Sequence, residues 1–564
     1  MSTAILSAVM ALAPGLWALA QDAPIDRGAY LAGRVAAIHD DFIEAAPWLK
    51  QALQADPTNM SIASDALATT LGAGDRESSV ALAQTITAAG HSNQLANTVL
   101  LAQAVIDSDW RRMYQQLEAG YSAGPMIDGL ARAWGHLGLG ETADALSAFD
   151  EMIENPPARV VAQFHKGLAL AMMGDFEGAN AALSQPMADG ISMTGPAVLA
   201  LAEIRSQLDD NAGAIAVLDD FFHDYPLPEA QELRARLVAD EAVPFTRLRT
   251  PAQGVAEALY ALAQVAAQSD DRFVTLLYSR LTTWIDPTHD GAQLGVARIL
   301  ADLGNLELAE AAYAAVPADS PNANAAAMGR ALLLADHDQV EDAIPIVTDL
   351  AAANPQNPSY NAVLGGLQRS LGRNAEAVAA YSAAIDATPE GGNRWPLFFN
   401  RAVSHHQLRD WPQTEADLRA ALTEAPDQPL ISNYLGYLLI DRNEQLDEGL
   451  GLIQRAIAAD PNNGAIVDSL GWAYFRLGRY DEAVVQLERA VTLEPVEYEI
   501  NDHLGDAYWQ VGRKREARFQ WQRALSFATG PNAPQDMEPE TIEAIRDKLH
   551  NGLQAPESVA ESDG

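Results

Sequence analysis

A proline every 34 residues constrains this chain more than any other feature. Pro287, Pro321, Pro355 and Pro389 are spaced by that interval, and Pro461 and Pro495 repeat it. The two irregular gaps have visible causes. The insertion Gly391-Gly392-Asn393 lengthens the one before Pro426, and residues 441–446 add one position before Pro461. Ala309, Ala343 and Ala377 keep step, each twelve positions ahead of a proline. A fixed period of this size marks a stack of small supersecondary units. At 564 residues the chain also exceeds what a single hydrophobic core supports.

The unit is clearest in VDSLGWAYFRLGRYDEAVVQLERAVTLEP, residues 467–495. Val467, Leu470, Gly471 and Tyr474 fall at the i, i+3, i+4, i+7 spacing of an amphipathic helix. Gly478 marks a short turn. Ala483, Leu487 and Ala490 give the same stripe on a second helix, which Pro495 ends because its ring removes a backbone donor and clashes with the preceding turn. Gly471 and Ala483 have almost no side chain, so the two helices can approach at the close end of the ~8–10 Å interaxial range. One hairpin cannot cover its own apolar faces. Units must therefore stack, which predicts an all-α solenoid with a continuous core and an extended concave face.

The order Leu-Gly, Tyr, Gly, Ala, Leu, Ala, Pro between Leu470 and Pro495 resembles the tetratricopeptide repeat (TPR). The resemblance implies a right-handed α-solenoid of about fourteen units between residues 27 and 529. Its expected divisions are a signal peptide at 1–20, a degenerate N-terminal subarray at 21–241 and an interrupting linker at 242–251. A C-terminal subarray follows at 252–529, near consensus from about 291, then a loop and capping helix at 530–552 and a disordered acidic tail at 553–564. The last four units carry NYLGYLLIDRNEQLDEGLGLIQRAIAADPNNGAIVDSLGWAYFRLGRYDEA and NDHLGDAYWQVGRKREARFQWQRAL. These are similar to proteobacterial exported TPR proteins related to outer-membrane lipoprotein adaptors of carboxyl-terminal-processing proteases. That similarity implies a non-catalytic scaffold or adaptor of the bacterial envelope, with an envelope protease or assembly machinery among its protein partners. Such lipoproteins need an N-terminal cysteine and this chain has none, so no lipid anchor is expected.

Composition narrows the classes further. Without cysteine there is no disulfide, thiolate nucleophile or Cys-ligated metal. A net charge of -40 repels phosphate backbones, so nucleic acid is not an expected partner. The first twenty residues are uncharged, with an apolar run, a Pro14-Gly15 break and the small-x-small sequence Ala18-Leu19-Ala20. This reads as a secretory signal and a periplasmic protein, although no positive charge precedes Arg27. A cytoplasmic protein whose first residues form an ordinary helix is the alternative.

No catalytic constellation, cofactor site or metal site is found, and the chain is not expected to be an enzyme. GxxxxGK[ST], GxSxG and HExxH are absent. GHLGLG at 135–140 spaces its glycines wrongly for a dinucleotide and is expected between two helices. His405 and His406 are adjacent, hence about 100° apart on a helix, and are not expected to share a metal. Function is expected in the groove. Positions two, five, nine and twelve of each first helix share the stripe opposite the core. That register places His406, Tyr437, Asp468, Trp472, Phe475, Asp502, Asp506 and Trp509 on it. Aromatics there anchor apolar side chains, and the carboxylates favour a partner with Arg or Lys; packing between repeats is the competing use. Asp468 and Asp502 stand where a clamp for a peptide carboxylate would need a donor. A basic patch, Arg513, Lys514, Arg515, Arg518 and Arg523, suits either an acidic partner surface or the acidic tail. Aromatic grooves with carboxylates also suit sugars, so a glycan-handling module in envelope polymer assembly or export is a second functional expectation.

Overall fold

The computed structural model describes residues 26–184, 194–223, 227–530, 533 and 539–553. The expected signal at 1–20 and the acidic tail beyond 553 lie outside the described residues. Within them are thirty α-helices and no strand, from α1 (Arg27–Ile38) to α30 (Pro539–Asn551). In sequence they form fourteen helix hairpins, one unpaired helix, α13 (Pro228–Val238), and α30. None of these helices is long and apolar enough to cross a membrane.

The hairpin at 464–493 shows why the sequence folds this way. α26 (Gly464–Arg476) starts at Asn463, whose side chain accepts from the Ile466 N–H, satisfying a donor that the helix cannot. Gly478 has φ +74°, a left-handed turn that glycine adopts without penalty, and α27 (Tyr480–Leu493) begins two residues later. A Cβ on Gly471 would lie 2.5 Å from Leu487 Cγ, and Ala483 is fully buried. The smallness of these two residues is therefore what lets the pair close. The same logic reassigns GHLGLG. Gly135 and Gly138 lie inside α7 (Pro125–Leu139), where Met113 and Trp110 press on them, and only Gly140 makes the turn.

The chain separates into two compact units, residues 1–337 and 338–564. The stretch 242–251, expected as an interrupting linker, lies inside the first of these units. Residues 242–250 have no regular structure, and Pro251 opens the next helix. The Thr246 N–H and hydroxyl donate to Glu203 at 2.8 and 3.1 Å, and Arg247 bridges Glu203 and Glu229 at 3.0 and 2.6 Å.

Beyond this stretch, α14 (Pro251–Gln268) and α15 (Arg272–Ile285) turn back onto the first helices of the preceding hairpins. They pack on α3 (Met60–Ala73), α5 (Gln94–Ile106), α7 and α9 (Arg159–Met172). First helices line the inner face of such a stack, so this unit fills its inner face with its own chain. Trp134 is completely buried there, and any Cβ on Gly254 would collide with its indole. Arg280 of α15 donates to the Gly72 carbonyl at the end of α3, and burial lowers its pKa to about 10. Asn305 donates to the Asp40 carbonyl at 2.8 Å, closing the unit across 265 positions.

In the second unit, five hairpins follow α19 (Val340–Ala353), and α30 packs on α29 (Lys514–Ala528). Ile545 of α30 is buried with Trp521, Leu504 and Tyr508, so this helix covers apolar surface at the end of the stack.

A candidate protein-binding groove

The second unit leaves part of its inner face open. A cavity of 770 Å³ is lined from α20 (Pro358–Ser370), α22 (Trp395–Gln407), α24 (Pro429–Asp441), α28 (Tyr498–Gln510) and α30. Four of these are first helices of their hairpins and α30 follows the last one; Asn374 and Trp411, the opening residues of two second helices, complete the wall with residues of the turns before them. His406 and Tyr437 form part of its wall with Arg369, Trp411, Glu499 and Thr541. The Tyr437 hydroxyl donates to Glu499 at 3.2 Å. Burial, reinforced by the Glu499 charge, pushes its pKa well above the ordinary phenol value, so it stays a donor. His406 accepts or donates at 2.7 Å to Tyr434 through Nδ1 and packs edge-on against Trp411. Burial lowers its pKa, which favours the neutral ring. His405 faces elsewhere, 3.7 Å from Asp410.

The other residues of the inner stripe contact side chains of this chain, some in the same hairpin and some in the next. Asp468 is 5% exposed, and both its oxygens meet His503 Nδ1, at 3.1 and 2.9 Å. Burial opposes a charge on His503, but the Asp468 carboxylate outweighs it and the pKa rises to about 9. Trp472 stacks on His503 at 4.1 Å and on Phe475 at 4.8 Å between centroids. Asp502 and Asp506 both hold Lys548 of α30, at 2.6 and 2.8 Å, and Asp506 also accepts from the Trp521 indole N–H at 2.8 Å. Burial and the neighbouring Asp502 lift the Asp506 pKa to about 6. Trp509 lies against Trp521 and under the α30 terminus at Gly552. The three carboxylates expected to face a partner's Arg or Lys thus already have cations or donors from this chain. His503, Lys548 and the Trp521 indole supply them; His503, on the next first helix, and Lys548, on α30, were not legible as partners because they lie 35 to 46 positions away.

Two wall residues were within reach of the stripe rule. Position twelve of α20 is Arg369 and position two of α28 is Glu499. Arg409 and Arg442 were not, because they sit in turns. Arg442 lies over the Trp411 ring at 5.1 Å and pairs with Glu444.

The basic patch divides in the same way. Arg513 pairs with Glu488 and Glu516 at 2.8 and 3.2 Å. Arg523 donates to the Pro495 carbonyl at 2.7 Å. Lys514 and Arg518 lie over Trp509 at 3.7 and 5.5 Å, and Arg515 is exposed. In the first unit, His136, Glu141 and Asp144 come within 4.8 Å of one another at the end of α7. His136 is already bonded to Glu141 at 2.7 Å.

Against this geometry, a family model for the tetratricopeptide repeat matches residues 130–185, 294–358, 328–391, 399–464 and 469–534, together just over half of the chain. The chain belongs to the tetratricopeptide repeat family. A TPR repeat-containing protein of Pseudomonas aeruginosa is 35% identical to it over 100 residues, which is 17% of each chain, so the match spans under a fifth of that relative. Among solved structures, a TPR protein from Parabacteroides merdae aligns at 17% identity and TM-score 0.38, covering 46% of this chain and 97% of that one. The APC/C hetero-tetramer Cut9–Hcn1 aligns at 15% identity and TM-score 0.36, covering 94% and 97%. TPR arrays are scaffolds that generally mediate contacts between proteins, and both units of this chain are built from such repeats.

Proposed function

We propose that this TPR protein is a non-catalytic scaffold or adaptor of the bacterial envelope that binds protein segments in the inner groove of its second unit. The observation that carries the reading is the 770 Å³ cavity, walled by side chains from several repeats of the second unit, while the first unit's inner face is filled by α14 and α15. Its size is that of a site for a short segment, and its wall mixes aromatic rings with hydrogen-bonding groups and charges of both signs. Export to the periplasm is supported by the uncharged, apolar first twenty residues and the small-x-small site before Gln21. An envelope protease or assembly machinery as partner is supported by the resemblance of the last four repeats to the exported adaptors.

The test is capture of partners from periplasmic extract with the wild type and with Tyr437→Ala plus His406→Ala. Loss of specific partners in the variant is expected; an unchanged set would overturn the groove assignment. Binding of peptidoglycan or exopolysaccharide in place of protein would replace the reading with a glycan-handling one. N-terminal sequencing of the mature protein from fractionated cells tests export, and a chain still beginning at Met1 in the cytoplasmic fraction would refute it.

A further inference from the structure

Every hairpin turns through a left-handed residue just after its first helix. In all but one that residue is glycine, aspartate, asparagine or serine, which have no side chain or a short one that bonds the nearby backbone. The exception is Arg409, with φ +58°. A long side chain gains nothing from this conformation, and glycine makes the same turn at Gly372 and Gly478. Backbone strain of this kind gathers where something else requires the side chain, ligand clamps among them.

Arg409 lines the groove together with Arg369. Neither forms an ion pair or a side-chain hydrogen bond with the described residues, so neither bonds the carbonyls at its helix end, the usual use of a cation there. The other wall charges are engaged. Arg442 pairs with Glu444 at 2.6 Å, Asp441 pairs with Arg476 at 3.1 Å, and Glu499 accepts from the Tyr437 hydroxyl. The wall thus sets three arginines against two carboxylates, in a chain with 76 acidic residues and 36 basic ones. Its open charges are positive, the opposite sign to that expected from the stripe. The rings of Trp411 and Tyr437 stand in the same wall.

We propose that the groove takes an acidic segment of a partner protein, held by Arg369 and Arg409 through side-chain carboxylates. This rests on the groove reading above and adds the partner's chemistry to it. The two arginines come from consecutive hairpins, and an extended segment presents alternate side chains on one face about 6–7 Å apart. Two Asp or Glu side chains separated by one residue can therefore meet both guanidinium arms, while apolar side chains of the segment lie against Trp411 and Tyr437.

Random peptides displayed on phage through their C-termini, and so without a terminal carboxylate, are panned against the full chain. Segments with two or more Asp or Glu residues and an apolar one are expected from the wild type. That acidic bias should vanish with Arg369→Gln plus Arg409→Gly. Basic or uncharged segments, or an acidic bias that survives in this variant, would overturn the proposal. Where basic or uncharged segments are lost with Tyr437→Ala plus His406→Ala, the groove itself still stands; where nothing is enriched, both readings fail. A selected acidic peptide, blocked at both ends, should bind Arg409→Gly about tenfold more weakly than the wild type, the worth of one charge-assisted hydrogen bond. The difference should shrink as salt is raised. The same substitution should raise the urea midpoint, because glycine makes the left-handed turn without strain. A lower midpoint would show that Arg409 serves the turn itself and would refute its binding role.

Discussion

At the residue scale, two positions carry consequences that can be measured. Gly471 exists because Leu487 occupies the space its side chain would need. Gly471→Ala should destabilise the second unit by about 1–3 kcal/mol, the usual cost of overpacking, seen as a lower urea midpoint with an unchanged slope. The second position is the buried pair of Asp468 and His503, which Glu499, Asp502 and the Trp472 ring also face. The His503 pKa of about 9 lies above the ordinary imidazole value near 6.5. The pair's stabilisation is therefore complete below about pH 6.5 and is lost as pH rises through about 9. Urea midpoints followed from pH 6 to 10 should fall in the wild type, and Asp468→Asn should flatten that fall.

Helices, taken as elements, meet through a few decisive contacts. Lys548 fastens α30 to α28 through Asp502 and Asp506, with 19% of its side chain exposed. Removing the cation leaves two carboxylates facing one another. Breaking a fully buried pair costs about 3–5 kcal/mol, and Lys548→Met should approach the lower end because of that exposure. Hydrogen exchange should then show lost protection across residues 539–551 with α26 and α27 unchanged. In the first unit the decisive element contact is α14 on α7. Gly254→Ala pushes a methyl group into Trp134, and a loss of about 1–3 kcal/mol is expected from overpacking, read from tryptophan fluorescence during urea unfolding. The proline period could not reveal this packing. α14 and α15 look like any other hairpin in sequence, and what sets them apart is that they contact helices several repeats earlier, from α9 back to α3.

For the whole molecule, division into two compact units predicts separable stability. Gly254→Ala should shift the transition of residues 1–337 and Gly471→Ala that of 338–564, resolved by hydrogen exchange with mass spectrometry across a urea series. Coincident shifts of both units by either substitution would contradict the division. The sequence alone determined the repeating helical hairpin with its glycines and alanines, because each follows from spacing within about one unit. Helical periodicity and steric size act locally and are written in consecutive residues. Which stripe residues stay open was decided only by tertiary structure. His503, Lys548 and α14 come from neighbouring or distant units, and whether a carboxylate meets a partner or a buried cation depends on what the folded chain brings beside it.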